Sequence, residues 1–224
     1  LLDLHQVEIS QGGIDEIMKR AGKWARGKAE QIQNAISQSK VIHCDETSSR
    51  MDGANGWEWV FCSLASVLHV IRRNRSVEVI RDIMGETQAE VWVSDSYGGQ
   101  LKAPARQRQL CMAHQLRALQ HVVDANPRFT WAKAMQALFS HAIRLHRHRS
   151  QISPEQFLTR VARVERTCDR LLHQDLASPE AQKLQRRYRK YRAWKRADRR
   201  SGERRASERG RGSAGARIAR CRYC

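Results

Sequence analysis

Two short apolar runs, each ending in an aspartate, do most to limit what this chain can fold into. Val41-Ile42-His43-Cys44-Asp45-Glu46-Thr47 is the first, and Val91-Trp92-Val93-Ser94-Asp95-Ser96-Tyr97-Gly98-Gly99 is the second; their aspartates stand fifty positions apart. Between them lie Gly56-Trp57-Glu58-Trp59-Val60-Phe61-Cys62-Ser63 and Val67-Leu68-His69-Val70-Ile71. Both read as strands from their β-branched and aromatic content. A polar run with helical spacing follows: Ser76 is the expected N-cap, Val77, Val79, Ile80 and Ile83 gather near one face of a helix over Val77–Met84, and Gly85 is the stop. Asp52-Gly53 and Asn55-Gly56 supply turn chemistry for a hairpin joining the first two strands. The order is therefore strand, strand, strand, helix, strand.

An acid on the first strand and another closing the fourth fit an α/β fold with a ribonuclease-H-like mixed sheet, in which two carboxylates meet at one divalent metal site. Glu46 is the rival of Asp45. Neighbours in a strand point to opposite faces, so only one of the two reaches a given site.

The flanks read as helical. Over residues 1–38, Leu4, Val7 and Ile9 lead to Ser10-Gln11-Gly12-Gly13, a turn-like break, after which Ile14, Ile17, Met18, Ala21, Trp24 and Ala25 recur at helical spacing. Two helices about a Ser/Gly turn fit either packing helices at the domain edge or a helix-turn-helix DNA reader. Gln109-Leu110-Cys111-Met112-Ala113-His114 is a fifth strand or the entry to a helix. Further helices are expected over 131–149, 154–173 and 179–195, the last two opened by Ser153-Pro154 and Ser178-Pro179. The expected divisions are an N-terminal helical segment (1–38), a catalytic core (39–128), a helical insertion (129–194) and an Arg-rich tail (195–224).

The formal charge of +18 points to a polyanionic partner, with nucleic acid the commonest. Its placement is uneven: Lys183–Cys224 hold 17 of the 41 Lys and Arg and 3 of the 23 Asp and Glu. Residues 195–224 have one large aliphatic side chain, Ile218, too little apolar surface to offset the entropy of ordering. The tail reads as a disordered basic arm or as out-of-frame translation of a GC-rich gene. Six cysteines without a disulfide rhythm fit a reducing compartment, and no apolar run approaches a membrane span, so the expected location is cytoplasmic with no membrane partner. Cys111 and His114 have zinc-ligand spacing, but no second matching pair completes a site. His141, His146 and His148 with Arg144, Arg147 and Arg149 form a basic cluster, read equally as a solvated helix end or a phosphate-tracking patch.

The chain resembles the bacterial transposases of the insertion sequence 66 group, which belong to the DDE superfamily. The likeness spans roughly residues 1–194. It rests on Ile9-Ser10-Gln11-Gly12, on Asp45-Glu46-Thr47 followed by Gly56-Trp57-Glu58-Trp59-Val60, and on Arg75-Ser76. It continues in Ser94-Asp95-Ser96-Tyr97, in Cys111-Met112-Ala113-His114 with Arg117, and in Leu184-Gln185-Arg186-Arg187-Tyr188-Arg189-Lys190. The resemblance implies metal-dependent DNA cleavage and strand transfer, with Mg²⁺ or Mn²⁺ held by Asp45 and Asp95 as the first two acids of the triad. It also implies DNA partners (element ends and target), a homo-oligomer when active, and phosphate contacts from His114 and Arg117. The basic segment Lys183–Lys195, which holds Arg186, Arg187, Arg189 and Lys190, is the leading DNA-contact candidate. The third acid departs from the family. Its glutamate belongs to a motif of two asparagines, a small residue, Ser, Glu and Arg, and here only Ala206-Ser207-Glu208-Arg209 approaches it, with Arg204-Arg205 in place of the asparagines. Glu208 is thus the expected third acid only on a weak match. Without that acid, the alternative is a non-catalytic basic DNA-binding remnant.

Overall fold

The computed structural model describes residues 9–51 and 53–191. The described residues divide into one unit that ends at Gln109 and another that begins at Leu110. The first is a mixed α/β unit in the ribonuclease-H-like arrangement, with a five-stranded sheet of order β3-β2-β1-β4-β5. The strands are β1 (Val41–Met51), β2 (Ala54–Cys62), β3 (Val67–Arg72), β4 (Ala89–Ser94) and β5 (Ala105–Leu110). Strands β1, β2 and β3 form an antiparallel meander, and β4 returns parallel to β1. The two-residue link between β1 and β2 turns at Gly53, whose φ of +76° lies where a side chain would be strained. Gly56 answers a close approach: a Cβ there would fall 2.7 Å from the Met51 sulfur and 3.3 Å from the Arg72 carbonyl oxygen.

Alternation along β1 and β2 assembles the core. Ile42 and Cys44 from β1 meet Trp59 and Phe61 from β2, all buried. Helix α2 (Val77–Met84) adds Val79, Ile80, Ile83 and Met84, and Trp92 comes from β4. Phe61 stacks on Trp59 at 6.3 Å and meets Trp92 edge-on at 6.2 Å, geometry worth about 0.5–1.5 kcal/mol per pair beyond area burial. Gly85 ends α2 at φ +53°, as its sequence position predicts.

Helix α1 spans Gln11–Ser37 and starts within the Ser10-Gln11-Gly12-Gly13 run, where the extended Ser10 caps it: its hydroxyl accepts the Gly13 N–H at 3.1 Å. Residues 1–8, the first arm of the helix-turn-helix alternative, lie outside the described residues. Only the end of α1 joins the core, through buried Ile36 and a Gln33 side-chain bond to the Asp82 carbonyl at 3.2 Å. Ile14, Ile17, Met18 and Trp24 are exposed.

The second unit is helical: α3 (Met112–Ala125), α4 (Thr130–Arg147), α5 (Pro154–Leu172) and α6, described over 179–191. Leu119, Val122, Trp131, Ala132, Met135, Leu138, Leu171, Leu172, Ala181, Leu184 and Tyr188 form its core. Helix α5 opens on a capping box, Ser153 with Gln156, and carries Pro154 in its first turn. Its final carbonyls find side-chain donors. The Trp131 indole bonds the Leu171 oxygen at 2.9 Å, Gln185 bonds the same atom at 3.2 Å, and the Arg189 Nε bonds the Leu172 oxygen at 2.5 Å. Among the described residues no helix is long and apolar enough to cross a membrane.

Candidate active site at the junction of the parallel strands

The parallel pair β1–β4 sets the geometry. Its register runs Val41↔Val91, Ile42↔Trp92, His43↔Val93. Two positions past the last paired residue on each side stand Asp45, still within β1, and Asp95, just beyond the end of β4. Asp45 lies on the exposed side of β1, where its Oδ1 accepts the Glu46 N–H at 3.1 Å. Asp95 is the first residue beyond β4 and half-buried. Its Oδ1 accepts the Tyr97 N–H at 2.8 Å, and the Ser94 hydroxyl donates to its carbonyl oxygen at 3.0 Å. The aspartate thus caps a tight turn rather than extending the strand.

Glu46 sits in a different environment. Its side chain is 1% exposed, and its Oε1 accepts the Arg75 Nε at 2.9 Å and Nη2 at 2.8 Å. Its Oε2 accepts the Gln100 side-chain N–H at 2.5 Å. Gln100 in turn accepts the buried Trp92 indole N–H at 2.8 Å. Burial pushes the Glu46 carboxyl above the usual carboxylate range; the Gln100 and Arg75 bonds pull it back, and the Asp95 charge pushes it further up. Burial likewise raises the Cys44 thiol well above its ordinary value and lowers the His43 imidazole.

Hard carboxylate oxygens just past the paired stretch of two neighbouring strands, one exposed and one half-buried, are of the chemistry a divalent cation such as Mg²⁺ or Mn²⁺ takes. Among the described residues no group of three or more His, Cys, Asp and Glu comes together. Glu208, the weakly matched third acid, lies outside the described residues, as do Cys221, Cys224, Trp194 and Lys195.

The other expected residues belong to the second unit. His114 and Arg117 stand in the first two turns of α3. On α6, Arg186 and Lys190 are exposed and Arg187 is half-buried, while Arg189 is engaged with α5. Tyr188, one of the aromatics of the basic segment, faces the unit's core, edge-on to Phe139 at 5.4 Å. His148 bonds Gln151 at 2.8 Å, and the Arg149 guanidinium lies 5.1 Å from the Phe157 ring centre.

Residues 1–206 match the family model described as Transposase IS66 family. The chain belongs to the IS66 transposase family. A comparison with curated proteins finds no match. The IS66 match runs past Trp194 into the Arg-rich segment and stops short of Glu208. Membership gives the chain a transposase role in general, with DNA as partner and phosphoryl transfer on DNA, chemistry for which the family generally uses a divalent metal. Sequence reasoning assigned no role to Arg75, Tyr97 or Gln100 beside these acids. Arg75 and Tyr97 fell inside quoted family motifs, but no local pattern ties them to Glu46.

Proposed function

We propose that this IS66 transposase cleaves DNA and transfers strands at the ends of an insertion element, with Asp45 and Asp95 as metal ligands. The observation that supports the reading is that Asp45 on β1 and Asp95 just past β4 each follow the paired stretch of the same two parallel strands by two positions. Asp45 and Asp95 would hold Mg²⁺ or Mn²⁺, which would supply activation of a water or 3′-hydroxyl and charge stabilisation of the leaving oxygen. Asp45 is exposed on its strand, where a cation can reach its carboxylate. Asp95 is held by its own turn, which limits the reorganisation needed to bind. Glu46 serves the fold: its oxygens are already engaged by Arg75 and Gln100. Phosphate contacts are assigned to Arg186, Arg187 and Lys190, with His114 and Arg117 as further contacts; Arg189 contributes less because its Nε is held by α5. Glu208 is the proposed third acid, and paired element ends call for at least two subunits.

The test is Mg²⁺-dependent nicking of DNA bearing element ends. Asp45→Asn and Asp95→Asn are expected to abolish it, and retained nicking in either variant sinks the metal-site assignment. Among the described residues no group of three or more His, Cys, Asp and Glu able to hold a metal comes together, which favours one second reading, a non-catalytic DNA-binding remnant. Equal DNA affinity with and without Mg²⁺, and no nicking at any metal concentration, would establish that instead.

A further inference from the structure

Asp95 begins a connection that leaves the sheet, so something must hold its carboxylate still. The residues that could do so come from five parts of the same unit. Tyr97 donates its backbone N–H to Asp95 Oδ1 at 2.8 Å. Its ring packs beneath the Arg75 guanidinium, whose carbon lies 4.0 Å from the Tyr97 ring centre and 4.6 Å from that of Trp57. The Tyr97 hydroxyl donates to the Arg75 carbonyl oxygen. Arg75 is fixed by the buried Glu46 carboxylate, Glu46 by Gln100, and Gln100 by the Trp92 indole. Gly99 completes the arrangement: a Cβ there would fall 2.6 Å from a Tyr97 ring carbon, so only glycine leaves room for the ring.

We propose that Tyr97 is a positioning residue for Asp95, clamped by Arg75 so that its backbone N–H holds one carboxylate oxygen and orients the other toward a divalent cation. The clamp links β1, β2, the β3–α2 connection, β4 and the turn that follows it. Outer partners of metal-binding carboxylates set their orientation, and losing one typically weakens metal affinity by about 10–100-fold. Tyr97 touches neither metal nor DNA in this role; it acts through Asp95.

The inference rests on Asp95 being a metal ligand, so the experiment separates the two. Mn²⁺ binding to the full chain is measured by electron paramagnetic resonance of the unbound ion, with thermal melts by circular dichroism in parallel. Tyr97→Ala is expected to weaken Mn²⁺ binding by about tenfold or more while melting cooperatively. Tyr97→Phe, which keeps ring and backbone N–H, is expected to bind close to wild type. Should Tyr97→Ala fail to fold, Arg75→Lys replaces it: the charge opposite Glu46 stays, the planar group over the ring is lost, and affinity should again fall. Wild-type affinity in the folded Tyr97→Ala or Arg75→Lys variant, beside lost binding in Asp95→Asn, overturns the positioning role and leaves the metal site standing. Wild-type affinity in Asp95→Asn overturns both.

Discussion

Removing the Arg75 guanidinium strands a buried charge, and the structure sets the scale of the loss. The Glu46 side chain is 1% exposed and the Arg75 side chain 33%, so the carboxylate is desolvated far more than its partner. Breaking a buried ion pair from one side costs about 3–5 kcal/mol. The lower figure applies here, because the Gln100 bond survives and the guanidinium is partly wet. Losing the packing over Trp57 and Tyr97 adds about 1 kcal/mol. Arg75→Ala is therefore expected to destabilise the sheet unit by about 4 kcal/mol, read by urea unfolding in metal-free buffer. The double variant Glu46→Gln/Arg75→Ala leaves no stranded charge and should recover roughly 2 kcal/mol of that loss. The pH dependence has a definite sign. Glu46 already sits above its ordinary value when folded, and without Arg75 it moves higher. The folded state then binds the proton more tightly than the unfolded chain, so the Arg75→Ala penalty is smallest below the unfolded carboxylate value and grows as pH rises through the folded one. A penalty under about 1 kcal/mol at neutral pH, or a double variant no better than Arg75→Ala alone, refutes the reasoning.

Two further outcomes check other parts of the structure. Ser153→Ala removes the hydroxyl half of the α5 capping box, leaving the backbone N–H to Gln156 bond, and should cost about 1 kcal/mol in urea unfolding of the helical unit; no loss means the hydroxyl cap is not formed. Cys44, 4% exposed with its thiol pushed well above the ordinary value, should resist a thiol-specific disulfide reagent at pH 8 until the sheet unfolds, whereas half-buried Cys62 reacts first. Peptide mapping that finds Cys44 labelled as fast as Cys62 contradicts the burial.

The strands and helix α2 were legible because each rests on local periodicity, caps and spacing. The exact start of α1 within Ser10–Gly13 was not legible, because serine and glycine serve both turns and helix starts, and the Ser10 to Gly13 bond sets it. The recurrence of Ile14, Ile17, Met18 and Trp24 marked a helix correctly but said nothing of its burial. The basic run on α6 hid a second pattern. Ala181, Leu184 and Tyr188 have core spacing, so Tyr188 packs inward although arginines flank it. The Glu46–Arg75–Gln100 network was out of reach, since its members lie 29 and 54 positions apart in the sequence and carry no shared periodicity.

The account turns on which acid of the Asp45-Glu46 pair meets the cation. The most direct measurement is calorimetric titration of Mn²⁺ into the wild-type chain and into Asp45→Asn, Asp95→Asn and Glu46→Gln. Saturable binding should vanish in both aspartate variants and persist, weakened, in Glu46→Gln. Undiminished binding in Asp45→Asn together with complete loss in Glu46→Gln would assign the site to the opposite face of β1 and contradict the account.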